Sequence, residues 1–475
     1  MQRAFTYIII LALSAITAPV SWAQEEGDEG KFHLQVDSIV NDVLQKFDNE
    51  LGTYIFRDEP YDNDDSGRAE VDQSVPDISQ SYPKTTSYHG NQLSPLTSHR
   101  SIMRNSFPAF PWENVDEHVL FRYNRVEGLF LGLNYPQKYY WNDQKLSLFA
   151  SGGYGFAAHR WRGGIGGAHQ FGFENNIIEI GAEVHSLTDS RDQWIIGVGE
   201  NNLAALLLRD DYRDYFEREG FSVWTGLYKR WRISDLQIQI GYLNDQYASL
   251  SRSTNWSIFG TDKTFRENPP VDEGRSRSIL ATVKFHSTQA RRIFTSGWSL
   301  SAGAEIAGKS LGGVFDFNSY VIDVRRYQPL SRYGNFNLRL RAASATGDVP
   351  YQKAFDLGGF GTLPAFGFKE FFGNRMLLAN AEYIINGKML DDVEFFPSWL
   401  LGNINIFIFA DAGYVAVADR EDFFLKGFND ISSSTVHSDW GVGIGSRDAK
   451  LRLGFAWRTD KAEPVKIFLR LNRPF

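Results

Sequence analysis

Apolar and polar residues alternate in segment after segment over roughly the last 350 positions of this 475-residue chain, and no other feature constrains its fold as tightly. From Lys450 to Arg458, Leu451, Leu453, Phe455 and Trp457 share one face, and Lys450, Arg452, Gly454 and Arg458 share the other. In the final segment Val465, Ile467, Leu469, Leu471 and Phe475 oppose Lys466, Arg470 and Asn472, with Arg473 interrupting the apolar row near its end. Phe336, Leu338 and Leu340 oppose Asn335, Asn337, Arg339 and Arg341; Leu236, Ile238, Ile240 and Tyr242 oppose Gln237 and Gln239. Strand side chains alternate sides, so each segment predicts a strand with one oily and one polar face. Segments of about ten residues have the length that a tilted membrane strand requires. Arginines in mid-strand are tolerable facing a watery lumen and expensive facing lipid. The expected fold is all-β: a transmembrane antiparallel β-barrel over 117–475.

Strands are expected near 121–134, 145–157, 161–172, 177–188, 221–231, 235–245, 277–287, 296–307, 315–327, 333–345, 375–386, 402–412, 437–446, 449–458 and 464–473. That count is odd, whereas a barrel with both ends in the periplasm needs an even one. Ala248 to Phe259 is the expected missing strand, giving about 16. Asn202 to Glu219 reads as a helix, with Leu203, Leu206, Leu207, Tyr212 and Tyr215 gathered on one side. Parity places it at the periplasmic mouth, where it either caps the barrel or lies at the interface.

The beginning of the chain has a different character. Arg3, the apolar run Tyr7 to Ala18 and Ser21-Trp22-Ala23 read as a secretory signal cleaved after Ala23. The run is shorter than the ~20 residues of a spanning helix. Residues 24–116 read as a largely irregular periplasmic segment with one helix over Phe32 to Leu51. The chain has no cysteine, which closes the lipoprotein route and excludes thiolate metal sites. Its formal net charge of -8 gives no basic stripe for nucleic acid.

Chemistry-bearing motifs are sparse. Gly303 to Ser310, GAEIAGKS, satisfies the P-loop pattern, but a phosphate cradle needs a strand-to-helix junction, and Trp298 to Lys309 itself alternates like a strand. No nucleotide partner is expected. There is no GxSxG elbow or HExxH helix, and His159, His169 and His185 lack metal-ligand spacing. The chain reads as a non-enzyme with no cofactor and no metal site.

The most informative stretch runs from Phe355 to Gly413. It holds Leu357-Gly358-Gly359, a glycine- and aromatic-rich loop, Gly373-Asn374, Asn380-Ala381-Glu382-Tyr383 and Phe409-Ala410-Asp411-Ala412-Gly413. With Arg122 to Gly132, Gly441-Val442-Gly443-Ile444-Gly445 and a terminal Phe, these marks fall in the order of the BamA-like surface-antigen superfamily of outer-membrane assembly barrels. The chain resembles that superfamily over about three quarters of its length, from Phe121 to Phe475.

The resemblance implies a 16-stranded barrel in the bacterial outer membrane, with the sixth extracellular loop folded into the lumen. The loop tip usually carries an arginine that pairs with the Asp of FxDxG, here Asp411. Leu363-Pro364-Ala365-Phe366 stands at that tip, so Pro364 replaces the arginine. A carboxylate inside the lumen needs a partner. The expectation is a lock of Lys369 with Asp411, joined by Glu382 and Phe366; the alternative is that Lys369 lies solvated in the loop. The seam would join Phe121–Tyr135 to Val465–Phe475, with Gly128, Gly132 and Phe475 as its marks. No POTRA module is recognised in 24–116. The implied function is outer-membrane protein or lipid assembly or translocation, with outer-membrane lipid, client proteins or a periplasmic protein as partners. A passive pore favouring anions through Arg339, Arg341, Arg452, Lys466 and Arg470 is the second reading, and a hydrolase with a dispersed site the third.

Overall fold

The computed structural model describes residues 118–135, 146–173, 176–231, 233–259, 262–291, 294–390, 403–447 and 451–471. The signal segment 1–23, the expected helix Phe32–Leu51, the rest of 24–116 and Phe475 lie outside the described residues.

Sixteen strands of six residues or more form an antiparallel meander. They are β1 Val119–Asn124, β2 Gly128–Tyr135, β3 Leu146–Gly155, β4 Arg160–Phe173, β5 Asn176–Asp189, β6 Phe216–Arg230, β7 Asp235–Ser249 and β8 Gly274–His286. They continue as β9 Phe294–Ala307, β10 Phe317–Pro329, β11 Gly334–Gly347, β12 Arg375–Asn386, β13 Ile404–Ala416, β14 His437–Ser446, β15 Leu451–Arg458 and β16 Lys466–Leu471. Each strand from β1 to β15 pairs antiparallel with the next. One helix, α1 Val198–Leu208, lies between β5 and β6. Among the described residues no helix is long and apolar enough to cross a membrane.

The strands are inside-out relative to a water-soluble sheet. Gln237, Gln239, Asn335, Asn337, Arg339, Glu382, Arg452 and Arg470 are all buried. Their apolar neighbours face outward: Leu133 is 72% exposed, Ile165 61% and Ile467 65%. Burying amides and guanidiniums while exposing isoleucines is unfavourable in water and favourable when the exterior is hydrocarbon. The expected transmembrane barrel of sixteen strands therefore stands.

Two expectations about individual elements do not. The sixteenth strand is not Ala248–Phe259. β7 ends at Ser249, and the residues beyond it are irregular. The extra strand comes from splitting the first expected one at Arg125–Glu127. Asn124 causes the split: its Oδ1 accepts from the amides of Val126 (3.0 Å) and Glu127 (2.7 Å), an Asx turn. Gly128 completes it at φ +66°, a conformation glycine adopts without a Cβ penalty.

The helix is also shorter and shifted, because Arg209 at φ 58° ends it in the left-handed region. Adding β1 reverses its parity. The β5–β6 loop that carries α1 shares a rim with the β1–β2, β7–β8 and β11–β12 loops, not with the opposite mouth. Gly303 to Ser310 runs from β9 into a single 3-10 turn, Lys309–Leu311, and then towards β10, so no helix follows it.

Candidate functional site

The β11–β12 loop folds back onto the inner wall. Phe355–Leu357 and Phe371–Gly373 pair as a short antiparallel ribbon. Gly358 turns the chain at φ +117°, where a Cβ would lie 2.3 Å from the Gly367 carbonyl oxygen. Leu363, Ala365 and Phe366, at the tip, are buried with Met376 and Leu378 of β12 and Phe407 and Phe409 of β13. The glycine of Phe409–Gly413 is explained by this packing. A Cβ on Gly413 would lie 2.6 Å from Leu357 Cδ1 and 3.1 Å from Leu363 Cδ1. The loop leucines occupy the space a side chain would need.

Asp411 faces the lumen, as its alternation requires, and is buried. Asn380 Nδ2 donates to Asp411 Oδ1 at 2.8 Å and to the Thr362 carbonyl at 3.0 Å. The register sets Asp411 opposite Asp439. Asp439 Oδ2 accepts from the backbone N–H of Ala365 at 2.8 Å. The loop tip thus meets the wall beside Asp411, at Asn380 and Asp439, with its own backbone. Thr362 supplies one acceptor and Ala365 one donor in place of a guanidinium.

Lys369 does not pair with Asp411. Its Nζ lies 2.7 Å from Asp192 Oδ1, 2.7 Å from Asp214 Oδ2 and 3.6 Å from Asp356 Oδ2. Lys369 sits past the tip, where the loop returns to the rim, so its side chain reaches the β5–β6 loop instead of β13. Glu382 is separate as well: it pairs with Arg452 and accepts from Asn337 Nδ2 at 3.3 Å. Phe366 packs under the Arg458 guanidinium, 4.0 Å from its ring centroid, and joins the tip's apolar cluster.

Asp214 is the hub that the sequence did not reveal. It accepts Lys369 from the β11–β12 loop, Arg266 from the β7–β8 loop (2.5 Å) and Arg125 from the first hairpin turn (3.2 Å). Its own amide donates to Asp192 Oδ2 at 2.6 Å. Arg125 is fully buried and also reaches Asp211 Oδ1 (3.3 Å), the Arg213 carbonyl (2.6 Å) and Asn268 Oδ1 (2.9 Å). Arg191 pairs with Asp356. Four acids, Asp192, Asp211, Asp214 and Asp356, thereby meet four bases, Arg125, Arg191, Arg266 and Lys369. Burial alone would raise the Asp214 carboxyl, but Lys369 and Arg266 outweigh it and hold it well below the usual range. Burial likewise pushes the Lys369 ammonium down, and Asp192, Asp356 and Asp214 together lift it above its ordinary value. The Asp356 carboxyl is raised, its burial exceeding the help of Arg191 and Lys369. These residues come from four loops and carry no periodic signal. Even the turn that presents Arg125 fell inside a single expected strand, 121–134.

Gly128 and Gly132 are not at the seam. Gly128 closes the first turn, and Gly132 lies on β2, flanked by β1 and β3. Among the described residues the first strand is β1, Val119–Asn124. Among the described residues no cluster suited to a metal ion occurs.

Residues 102–295 match the C-terminal domain of a family of unknown function (DUF5686). Among solved structures, BamA from Haemophilus ducreyi lacking POTRA domains 1-3 is similar at 12% identity, with 79% of this chain and 76% of that chain covered and a TM-score of 0.46. CdiB from Acinetobacter baumannii is 12% identical over 75% of this chain and 57% of its own, with a TM-score of 0.38. OccK10 (OpdN) from Pseudomonas aeruginosa is 12% identical over 72% and 90%, with a TM-score of 0.28. No curated protein matches. The Omp85 superfamily domain matches residues 217–472, taking in the folded loop, the wall it docks on and the last strand. That is more than half of the sequence, and the chain belongs to the Omp85 superfamily.

Proposed function

We propose that this protein assembles or translocates outer-membrane proteins or lipids and catalyses no covalent chemistry. It is an outer-membrane barrel by family. The observation that carries the reading is the β11–β12 loop, whose buried tip bonds to Asp439 and Asn380 and whose base is clamped at Asp214. A loop held at both ends across the lumen suits a barrel whose traffic is gated better than one that conducts passively. Residues 1–23 are read as the signal that carries the chain across the inner membrane, and 24–116 as a periplasmic segment that meets clients or a periplasmic partner. The experiment is depletion read by outer-membrane proteomics and lipid analysis. Unassembled barrels or altered lipid asymmetry are expected; an unchanged outer membrane refutes the reading.

The passive pore keeps one specific support. Arg325, Arg339 and Arg341 all converge on the single carboxylate of Asp323, leaving a local excess of positive charge on β10 and β11. Stable, anion-selective single-channel conductance with an unchanged outer membrane on depletion would favour it.

A further inference from the structure

The first and last strands of a closed barrel face each other, and their outer edges carry backbone groups that a neighbouring strand would bond. In this protein side chains of α1 take three of those groups. The Asn202 amide acts as a peptide group would. Its Nδ2 donates to the Phe121 carbonyl at 3.2 Å, and its Oδ1 accepts from the Tyr123 N–H at 3.3 Å, both on β1. Two residues earlier on the same helix, Glu200 Oε1 accepts from the Leu471 N–H of β16 at 2.8 Å. Glu200 is buried and held in place by Arg470, whose Nε lies 3.0 Å from Oε1. One helical turn therefore bonds to both strands at the seam.

The helix is itself strapped down. The Ile258 amide of the β7–β8 loop donates to the Leu206 carbonyl at 2.8 Å, and the Ser253 amide donates to the Arg125 carbonyl at 2.9 Å. Tyr123 Oη donates to the Trp256 carbonyl at 2.5 Å, and the two rings meet edge-on with centroids 6.0 Å apart. The strap crosses from the helix to the tip of β1.

We propose that α1 is a latch on the barrel seam, its Asn202 and Glu200 side chains substituting for a strand at the edges of β1 and β16. Opening the seam, or pairing an extended segment with β1, then requires α1 to leave first. What passes through the opened seam rests on the assembly reading above; the latch itself does not.

The test is amide hydrogen exchange on the full chain in lipid nanodiscs, followed in peptides covering 119–124, 198–208 and 466–471. In the unaltered protein the Tyr123 and Leu471 amides are expected to exchange together with α1. Protection at Tyr123 and Leu471 that persists while α1 exchanges fast would overturn the proposal. Asn202→Leu is expected to speed exchange at Tyr123 at least tenfold and leave Leu471 protected by Glu200. Adding Glu200→Ala should release Leu471 as well. A folded Asn202→Leu variant whose Tyr123 exchange stays within twofold of the parent also overturns it. An assembly-neutral depletion would sink the proposed function and leave these exchange results standing.

Discussion

Replacing Lys369 with methionine tests the loop clamp directly. Methionine keeps most of the stem and removes the ammonium that lies 2.7 Å from both Asp192 and Asp214. Asp214 retains Arg266 and Arg125, and Asp356 retains Arg191. Among the described residues Asp192 is the one left without a cation, supported by the Asp214 amide and the Ser190 hydroxyl. Removing one partner of a buried pair costs about 3–5 kcal/mol, and the surviving partners place this loss at the lower end, about 3 kcal/mol. That is roughly a hundredfold shift in the loop-docking equilibrium. The assay is limited proteolysis within 355–373 on the folded barrel in detergent, with the heat-modification midpoint measured alongside. Lys369→Met should open the loop to protease and lower the midpoint. Lys369→Met combined with Asp192→Asn should recover part of both, because the stranded charge goes with its partner. If the single variant is as protease-resistant and heat-stable as the parent, the clamp carries no stability and the reasoning fails.

Gly413→Val should loosen the loop tip by about 1–3 kcal/mol through overpacking against Leu357 and Leu363, with the sheet intact; protease sensitivity of the loop against unchanged β-sheet circular dichroism checks it. Asp439→Leu strands the buried Ala365 amide and should cost about 1–3 kcal/mol, visible in the same protease assay. Ile165→Lys on the outer face of β4 should cost about 2–4 kcal/mol near mid-membrane and lower the yield of heat-modifiable barrel in lipid; no change would mean that this face does not meet hydrocarbon. The clamp should also depend on pH. Asp214's depressed carboxyl contributes stability above about 3.9 that is lost as the pH falls through its folded value. Lys369's raised ammonium contributes stability below about 10.4 that is lost as the pH rises through its folded value. Protease resistance of the loop should therefore hold across neutral pH and weaken at both extremes.

The sheet was legible because membrane burial writes itself into a two-residue period. Gln237 and Gln239 against Ile238 and Ile240 is the same statement in sequence and in exposure. The error in the strand count has an equally local cause. Alternation does not break visibly at Arg125–Glu127, and the turn depends on one Asn side chain folding back on two amides. The lock was half legible. Asp411 and Gly413 announce the docking wall, and Phe366 the tip. The partner of Lys369 was out of reach, because Asp192 and Asp214 belong to a loop whose return to the rim depends on parity, and parity depended on the missed hairpin.

The loop is held at two places by different physics, and this explains how the tip arginine can be absent. Position at the tip is set by shape: Leu357 and Leu363 fill the hollow over Gly413, and two backbone groups bond to Asp439 and Asn380. None of those contacts needs a cation. The charge lies at the loop's base instead, where four loops converge on Asp214 and the signs balance. A buried network of balanced opposite charges contributes little net stability but is strongly disrupted by the loss of any one member. The apolar tip fixes where the loop lies, and the clamp at Asp214 makes its position sensitive to the other three loops. One of these, the β5–β6 loop, carries α1 and supplies Asp192 and Asp214 itself, so the loop in the lumen and the helix at the seam answer to the same hub.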